Sequence, residues 1–413
     1  MNARERVLEA LAHKQPDKVP IDIGGHRSSS MAVQAYRNLR AYLGLEASEL
    51  YVYDFIQQLA IVERDVQDIL KGDVLDVGHD FCKNPAYWKP WRLQDGTACK
   101  IPSYIDVRED SEGWKAYNAS GVEICIQKPG CLYFEQTCFP LMDSDSQSFD
   151  NLPEELDKIM WCSIGVPPAP AGFDEAGLRV RRDTAKALKE STDRAIYSAF
   201  GGNLIEIGEF AFRIDNFLCE IAADPKRVHR FLDKLVELHM ENLRRYLLEV
   251  GNYIDVLGFG DDLGMQTGPQ ISPKAYQEFF KPRHKQMWEY AKKLAPHIKL
   301  CLHSCGGLYE LLPDIIDAGM DAINPVQFTC HGMELGRLKK EFGRDITFWG
   351  GGCDTRDVLP NGTPQQVKDH VRRNLDVMFK DGGFVFQQVH NIMADVPPSN
   401  IVAMYEAANE YCG

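Results

Sequence analysis

The stretch that decides the fold is residues 299–307, Lys-Leu-Cys-Leu-His-Ser-Cys-Gly-Gly. An apolar run of strand length ends in His303 and Cys305, and two glycines follow. Side chains on a strand alternate between its two faces, so residues two positions apart point the same way. Imidazole nitrogen and thiolate sulfur are ligands that zinc prefers. The stretch predicts a buried strand that ends in half of a zinc site, although a buried thiol beside a hydrogen-bonded core histidine would leave the same pattern.

Seven more short apolar runs resemble this one, and helical patterns fill most of the gaps between them. The predicted strands are 19–23, 74–77, 195–199, 254–259, 299–303, 322–325, 346–349 and 384–389, and the clearest helices are 225–250, 273–294, 308–318, 334–342 and 364–380. Alternation of strand and helix favours a parallel sheet, and eight such units predict a closed (β/α)₈ TIM barrel of the α/β class.

Residues 100–145 interrupt this alternation. They are rich in tyrosine, valine, isoleucine and turn residues, which predicts a β-hairpin or small sheet inserted between early barrel units. We therefore predict one barrel domain over residues 1–413, with 100–145 as a β-rich insertion.

The composition is that of an ordinary globular protein, with 44% hydrophobic and 26% charged residues. The net charge of −14 argues against a nucleic-acid partner, because phosphate binding needs a basic face. No signal-peptide core or membrane-length apolar run is present, so we expect no membrane association and a cytoplasmic location. The 12 cysteines include no Cys-x-x-Cys pair, and a reducing compartment would leave most of them as free thiols.

Polar or metal-capable residues follow five consecutive predicted strands. In chain order they are Asp261, Asp262 and Gln266, then His303 and Cys305, then Asn324, then Cys353, and finally His390 and Asn391. Because barrel chemistry takes place at the carboxyl ends of the strands, these side chains predict one site at the rim of the barrel.

A catalytic zinc takes three protein ligands and leaves one position open. His390 and Cys353 are both candidates for the third ligand beside His303 and Cys305. Asp261 and Asp262 are candidates for general acid or base, and we expect one to face the pocket and the other to cap the turn.

Several of these motifs resemble those of the uroporphyrinogen decarboxylase-like superfamily, and specifically its zinc- and corrinoid-linked methyltransferase branch. They are GDDLGMQTGPQISP from 260, LHSCGG from 302, INPVQ from 323, WGGGCDT from 349 and VHNIMADVPPSNI from 389, with RERVLEALAHKQPDKVPIDIGG from 4 and DFIQQLA from 54. The resemblance runs over nearly the whole chain.

The resemblance implies a (β/α)₈ barrel, a zinc ion and a separate corrinoid-binding partner protein, and it also implies a homodimer. In the coenzyme M methyltransferases of this superfamily, a His-x-Cys pair and a last-strand cysteine bind zinc. His303 and Cys305 match the pair, whereas His390 stands at the last-strand position, which puts specificity for thiol substrates in doubt. Uroporphyrinogen decarboxylases carry an arginine-rich motif where this chain has only Arg27, so a porphyrinogen is a poor match.

The sequence therefore predicts methyl transfer between a small substrate and cobalamin (a corrinoid) carried by the partner, since this chain lacks a corrinoid-binding signature. Zinc would either hold an acceptor thiol as thiolate or act as a Lewis acid on a methoxy oxygen. The residues predicted to bind substrate are Arg27, Gln57, Gln266, Asn324 and Asn391. Two alternatives stay open, a metal-independent decarboxylase or lyase of a small carboxylic acid and a non-catalytic barrel that binds a small molecule.

Overall fold

Seven parallel strands form the central sheet of the protein, which we describe from a computed structural model over residues 1–80, 84–165 and 173–411. Their order in the sheet is their order along the chain: Val74–Asp76, Ala195–Gly201, Val256–Gly260, Lys299–His303, Ala322–Asn324, Thr347–Trp349 and Phe384–Val385. Every neighbouring pair is parallel. Each lies within or next to a run that the sequence predicts as a strand.

The eighth predicted strand, around Ile21, connects the two edges of this sheet. On one side Asp22 N donates to the carbonyl oxygen of Phe386 at 2.8 Å, and Phe386 N donates to that of Pro20 at 2.8 Å. On the other side Asp73 N donates to the carbonyl oxygen of Ile21 at 2.7 Å. The curled sheet and its surrounding helices form a TIM-barrel fold, and the predicted α/β class is confirmed.

Helices surround the sheet, and the first of them contributes Val7, Ala10 and Leu11 to the apolar cluster inside the barrel. They are Ala3–Leu11, Val33–Tyr42, Arg64–Ile69, Val77–Asp80, Leu152–Leu156, Met160–Ser163, Glu175–Ser191, Ile205–Phe212, Ile214–Ala223, Pro225–Val250, Pro273–Ala275, Lys281–Leu294, Leu312–Asp317, Leu335–Phe342, Val358–Asn361, Pro364–Met378 and Pro398–Glu410. Within the described ranges, none of them is long and apolar enough to cross a membrane.

Proline and its preceding cap explain where several helices begin. The Asp224 side chain accepts the Arg227 N–H and starts Pro225–Val250, as the sequence predicts. The predicted helix 273–294 is instead divided by a wider turn at Tyr276–Phe280, directly before Pro282. A proline inside a helix has no N–H to donate to the preceding turn, which accounts for the irregularity.

The β-rich insertion begins earlier than predicted. Its strands are Trp88–Arg92, Ala98–Pro102, Asp106–Asp110, Gly113–Tyr117, Glu123–Gln127 and Glu135–Gln136, all paired antiparallel. The first strand escaped prediction because it contains Pro90, which is tolerated only at sheet edges. The insertion reaches the barrel rim, where Tyr133 Oη lies 3.0 Å from Met393 Sδ and Phe134 N donates to the Ile56 carbonyl oxygen at 3.1 Å.

The interior of the barrel is a separate apolar cluster. It is formed by Val7, Ala10, Leu11, Val74, Ala195, Tyr197, Val256, Cys301, Ala322, Trp349 and Val385. Cys301 belongs to this inner cluster, whereas Leu300 and Leu302 pack on the helix side of the sheet. Because side chains alternate along a strand, those of Cys301 and His303 point to the same side, into the barrel, and His303 lies at the end of the strand.

Candidate metal centre

His303, Cys305 and His390 come together at the carboxyl ends of two barrel strands. Their candidate ligand atoms all lie within 4.8 Å of one another. The Cys305 sulfur is 3.6 Å from Nε2 of His303. Zinc bound tetrahedrally to one nitrogen and one sulfur holds them about 3.5 Å apart, given its usual bond lengths. The spacing of this pair therefore suits zinc without rearrangement.

Asn324 determines which nitrogen of His303 is available to a metal. The Asn324 Nδ2 group donates to the carbonyl oxygen of Trp349 at 2.9 Å, so its Oδ1 faces the other way. That oxygen lies 2.8 Å from His303 Nδ1. Because an amide oxygen only accepts, Nδ1 carries the proton and Nε2 keeps its lone pair. Metal-binding histidines are commonly oriented by such a bond on the second nitrogen.

His390 follows the last barrel strand and completes the group. Burial and the nearby His303 lower the pKa of His390 to about 3, so its imidazole is neutral at physiological pH. Neutral imidazole is the form that binds metal.

The Cys305 thiol lies in an acidic setting. Burial, and after it the carboxylates of Asp262 and Glu206, raise the pKa of this thiol well above its usual value. The thiol therefore stays protonated unless a cation compensates the charge. A bound zinc ion supplies that compensation, because a coordinating thiol is deprotonated outright.

Cys353, the other candidate for the third ligand, is not part of this group among the described residues. It is fully buried, and its sulfur lies 3.9 Å from the carbonyl oxygen of Asp354. Its carbonyl accepts the Val389 N–H at 2.9 Å, so its backbone lies beside the segment that leads to His390. The glycine turn before Cys353 buries the thiol in the apolar core, and geometry favours His390.

Asp261 lies beside the start of a helix. It is fully buried, and four donors surround its carboxylate at 3.1 Å: the backbone N–H groups of Leu204, Ile205 and Glu206, and Nε2 of His284. Three of them belong to the start of the Ile205–Phe212 helix, whose free N–H groups need an acceptor. Asp261 therefore caps this helix, and its catalytic role stays a prediction.

Asp262 has the position expected of a residue that faces the pocket. Its Oδ1 accepts the backbone N–H of Cys305 at 2.8 Å and lies 4.0 Å from His303 Nε2. Its side chain is 32% exposed, whereas that of Asp261 has no exposed area. One carboxylate of the pair thus caps a helix, and the other lies beside the candidate ligands.

Two glutamates, the half-buried Glu206 and the buried Glu209, add to the acidic residues near Asp262. Burial, reinforced by the charges of Asp262 and Asp261, raises the pKa of Glu206 well above its usual value. Burial likewise raises the pKa of Glu209 to about 8. The Glu209 carboxyl is therefore largely protonated at neutral pH, which limits the negative charge of this group of acidic residues.

Three of the residues predicted to bind substrate belong to one hydrogen-bonded chain. Arg27 Nε lies 3.2 Å from Asp54 Oδ2, and the Asp54 carboxylate accepts the backbone and side-chain N–H groups of Gln57 at 2.9 and 3.0 Å. The Gln57 Oε1 atom then accepts from Asn391 Nδ2 at 2.8 Å. Since Asn391 directly follows His390, this chain leads to the metal centre.

Gln266 is the predicted substrate residue that stands apart. Its side chain is exposed, in the hairpin formed by Gly264–Met265 and Gly268–Pro269, and its backbone carbonyl oxygen accepts the N–H of His331 at 2.9 Å. The contact of Gln266 with substrate stays a prediction. Asn324, by contrast, is fully buried and orients His303 rather than a substrate.

Sequence reasoning missed His26 and Ser28, which follow the segment around Ile21. The His26 ring stacks on that of His303, with centroids 5.2 Å apart and planes 26° apart. Ser28 Oγ donates to Asn324 Oδ1 at 2.7 Å. The rule that polar residues after a strand mark the site would have found both, had it been applied to the first strand as well as to the late ones.

Comparisons with known proteins agree with this barrel. The chain is 28% identical over 160 residues to a methylated-thiol–coenzyme M methyltransferase of Methanosarcina mazei, which covers 38% of this chain and 39% of that protein. It is 26% identical over 358 residues to a uroporphyrinogen decarboxylase of Legionella pneumophila, with 82% and 86% covered. The alignments to the first curated relatives span only 39% and 50% of those proteins.

A solved methyltransferase structure from Methanosarcina mazei superimposes with a TM-score of 0.59 over 99% of both chains, at 16% identity, and so shares the fold. The family model described as uroporphyrinogen decarboxylase (URO-D) matches residues 204–411, just over half of the chain. As the strand-end motifs predict, the protein belongs to the uroporphyrinogen decarboxylase family.

Proposed function

We propose that this protein is a zinc-dependent methyltransferase, which moves a methyl group between a small substrate, either a methoxy compound or a thiol, and a separate corrinoid protein. The observation that carries the proposal is the convergence of His303, Cys305 and His390 within 4.8 Å. A donor set of two imidazoles and one thiolate leaves the fourth zinc position free for substrate. The similarity to a methylated-thiol–coenzyme M methyltransferase supports the same class of reaction.

When bound, zinc would act as a Lewis acid toward a methoxy oxygen or hold a thiol as thiolate. The chain's own residues prepare the site for either substrate. Asn324 keeps the lone pair of His303 on Nε2, and Asp262 fixes the backbone of Cys305. Arg27, Gln57 and Asn391 orient the substrate beside them. Transfer toward the corrinoid would leave the electron pair of the broken bond on oxygen or sulfur, and a reduced corrinoid held by the partner would supply the pair for the new bond.

Two features disfavour a metal-independent decarboxylase. Such an enzyme would use Asp261 or Asp262 to hold a protonated intermediate, yet the carboxylate of Asp261 already accepts three backbone N–H groups at the start of a helix. Arg27, the one arginine at the expected carboxylate-binding segment, is already paired with Asp54. We further propose a cytoplasmic location, where a thiol such as Cys305 stays reduced.

The test compares His390→Ala with Cys353→Ala as a matched control. His390→Ala removes a proposed ligand, so we expect it to lose most of its zinc in elemental analysis and to stop demethylating methylcobalamin or methylating cob(I)alamin. Cys353→Ala removes a buried group outside the cluster and should retain both properties. Full activity of zinc-free wild-type protein, or loss of zinc from Cys353→Ala alone, would refute the proposal. Release of carbon dioxide from carboxylic acids by zinc-free protein would favour the decarboxylase.

A further inference from the structure

His26 is a buried histidine that lies at the metal centre without belonging to the group of ligands. It is 5% exposed, and its ring lies between two aromatic neighbours. One is His303, stacked at 5.2 Å, and the other is Tyr197, which meets it edge-on at 4.9 Å and 81°. A ring at stacking distance from a ligand imidazole is within reach of an atom bound to the same metal.

Ser28 determines the protonation of His26. The backbone N–H of Ser28 donates to Nδ1 of His26 at 3.0 Å. The hydroxyl oxygen of Ser28 also lies 2.9 Å from Nδ1 and donates its own proton to Asn324 at 2.7 Å, so the backbone N–H, which can only donate, is the group that makes Nδ1 an acceptor. Nδ1 is therefore a bare acceptor, and a neutral imidazole whose Nδ1 is bare carries its proton on Nε2. His26 thus offers one N–H donor, from Nε2.

That donor has no hydrogen-bond partner among the described residues, since the hydrogen bonds of the His26 side chain within them all involve Nδ1. The Nε2 atom is not among the enclosed polar atoms of the described residues, so its N–H is open to a ligand or water, which such donors in native proteins usually meet. The same network that fixes His26 also fixes His303, since both end on Ser28 and Asn324. The rings of His26 and His303 are therefore held in fixed positions relative to each other.

We propose that His26 is a specificity-determining residue of this site, which donates a hydrogen bond from Nε2 to the oxygen atom of an alcohol or methoxy substrate. This inference rests on the proposed function and names its substrate class. An oxygen that gains negative charge is a strong acceptor for an N–H donor, whereas sulfur is a weak one. His26 thereby favours substrates in which the methyl group is carried by oxygen over those in which it is carried by sulfur.

Cobalt(II) replaces zinc in the test, because its visible spectrum reports both metal binding and the fourth ligand. The first readout is one equivalent of cobalt per chain with a sulfur-to-cobalt charge-transfer band, which tests the proposed metal site independently of His26. The second readout is the affinity of two matched probes, phenol and thiophenol, from the change in the cobalt bands. The variants are His26→Leu, which removes the donor, and His26→Gln, whose amide places an N–H near the original Nε2.

We expect His26→Leu to bind cobalt normally and to lose roughly tenfold or more in phenol affinity relative to thiophenol, the effect of one hydrogen bond to a charged acceptor. His26→Gln should recover part of that loss. His370→Gln is the control, since this half-buried histidine pairs with Asp354 N away from the centre and its replacement should change neither affinity. If His26→Leu lowered the affinities for phenol and thiophenol equally, His26 would be a packing residue. If His26→Leu lost cobalt, His26 would be a metal ligand. Either result would overturn the inference.

Failure of wild-type protein to bind cobalt would refute the proposed function, and with it this inference. A measurement on unaltered protein covers the case in which His26→Leu does not fold. Nitrogen-15 NMR of the zinc-loaded protein with labelled histidine should show His26 as the Nε2–H form, with a resonance that shifts on addition of phenol and not of thiophenol. A proton on Nδ1, or an equal response to both probes, would overturn the inference.

Discussion

Asn324 is the residue on which the orientation of His303 depends. Its amide joins three groups, since Oδ1 accepts from His303 and from Ser28 while Nδ2 donates to the backbone of Trp349. Each bond restricts the others, because the amide cannot rotate without losing all three. The nitrogen of His303 proposed to bind the metal is thus selected by a side chain outside the group of candidate ligands.

Replacement of Asn324 by alanine should therefore weaken zinc binding by about 10- to 100-fold, the usual effect of losing such an orienting partner. Competition with a chromophoric chelator measures it. Asn400→Ala is a matched control, because Asn400 is equally buried and also bonds backbone carbonyls, those of Leu359 and Gly362. Both variants should lose stability, and only Asn324→Ala should lose zinc affinity. Equal zinc affinities of Asn324→Ala and Asn400→Ala would contradict the role given to Asn324.

Glu209 makes stability depend on pH. Burial raises the pKa of its carboxyl from 4.5 in the unfolded chain to about 8 in the folded protein. The folded state therefore binds the proton more tightly, and the free energy of unfolding decreases as the pH rises from about 4.5 to about 8. Glu209→Gln cannot titrate and should lack this decrease.

Thermal melts of chelator-treated protein provide the measurement. The difference in melting temperature between Glu209→Gln and the wild type should grow in favour of the variant between pH 5 and pH 8.5. Glu237→Gln, at a side chain that is 71% exposed, should follow the wild type throughout. Parallel curves for Glu209→Gln and the wild type would show that burial leaves this carboxyl unperturbed.

At the scale of secondary-structure elements, the strand ends were the predictable part of the site. The period of two along residues 299–305 aims Cys301, His303 and Cys305 to one side, and this follows from sequence alone. The role of Asp261 does not, because the helix that it caps begins 56 residues earlier in the chain at Ile205. Burial of Cys353 likewise depends on a glycine turn whose direction is set by the neighbouring strand. Contacts between distant elements are what local patterns leave undetermined.

The turn that carries Cys305 depends on Gly306. Its φ of +89° belongs to the left-handed region, and an added Cβ would lie 2.2 Å from the carbonyl carbon of Gly264. Alanine at this position must push the turn away from the neighbouring hairpin and shift the Cys305 sulfur. We expect Gly306→Ala to lose stability and to bind zinc at least about tenfold more weakly, in line with the loss of a supporting partner.

Gly319→Ala separates the two effects. Gly319 also has a positive φ, +100°, but nothing lies within 4 Å of its added Cβ. Gly319→Ala should lower the free energy of unfolding by roughly 1–2 kcal/mol, because that backbone conformation is unfavourable for an L-residue, and should leave zinc binding unchanged. Chemical denaturation and chelator competition on both variants test this. A similar zinc affinity in the two would mean that the turn tolerates the displacement.

For the whole molecule, the metal centre and the structural core occupy different regions. The core is the apolar layer between sheet and helices together with the inner cluster around Tyr197 and Trp349. The candidate ligands lie at the strand ends, and the insertion reaches the same rim through Tyr133. A barrel whose core does not include the metal should fold without it, unlike small domains that are unfolded when zinc is absent.

Removal of zinc should therefore abolish methyl transfer and leave the barrel intact. Zinc at 100 times its dissociation constant stabilises the folded state by about 2.7 kcal/mol, which for a chain of this length shifts the melting temperature by only a few degrees. Far-ultraviolet circular dichroism before and after dialysis against a chelator should overlap, while transfer to or from cobalamin stops and returns on addition of one equivalent of zinc. Collapse of the helical signal would place the ion in the folding core, and persistent transfer would place the chemistry elsewhere in the barrel.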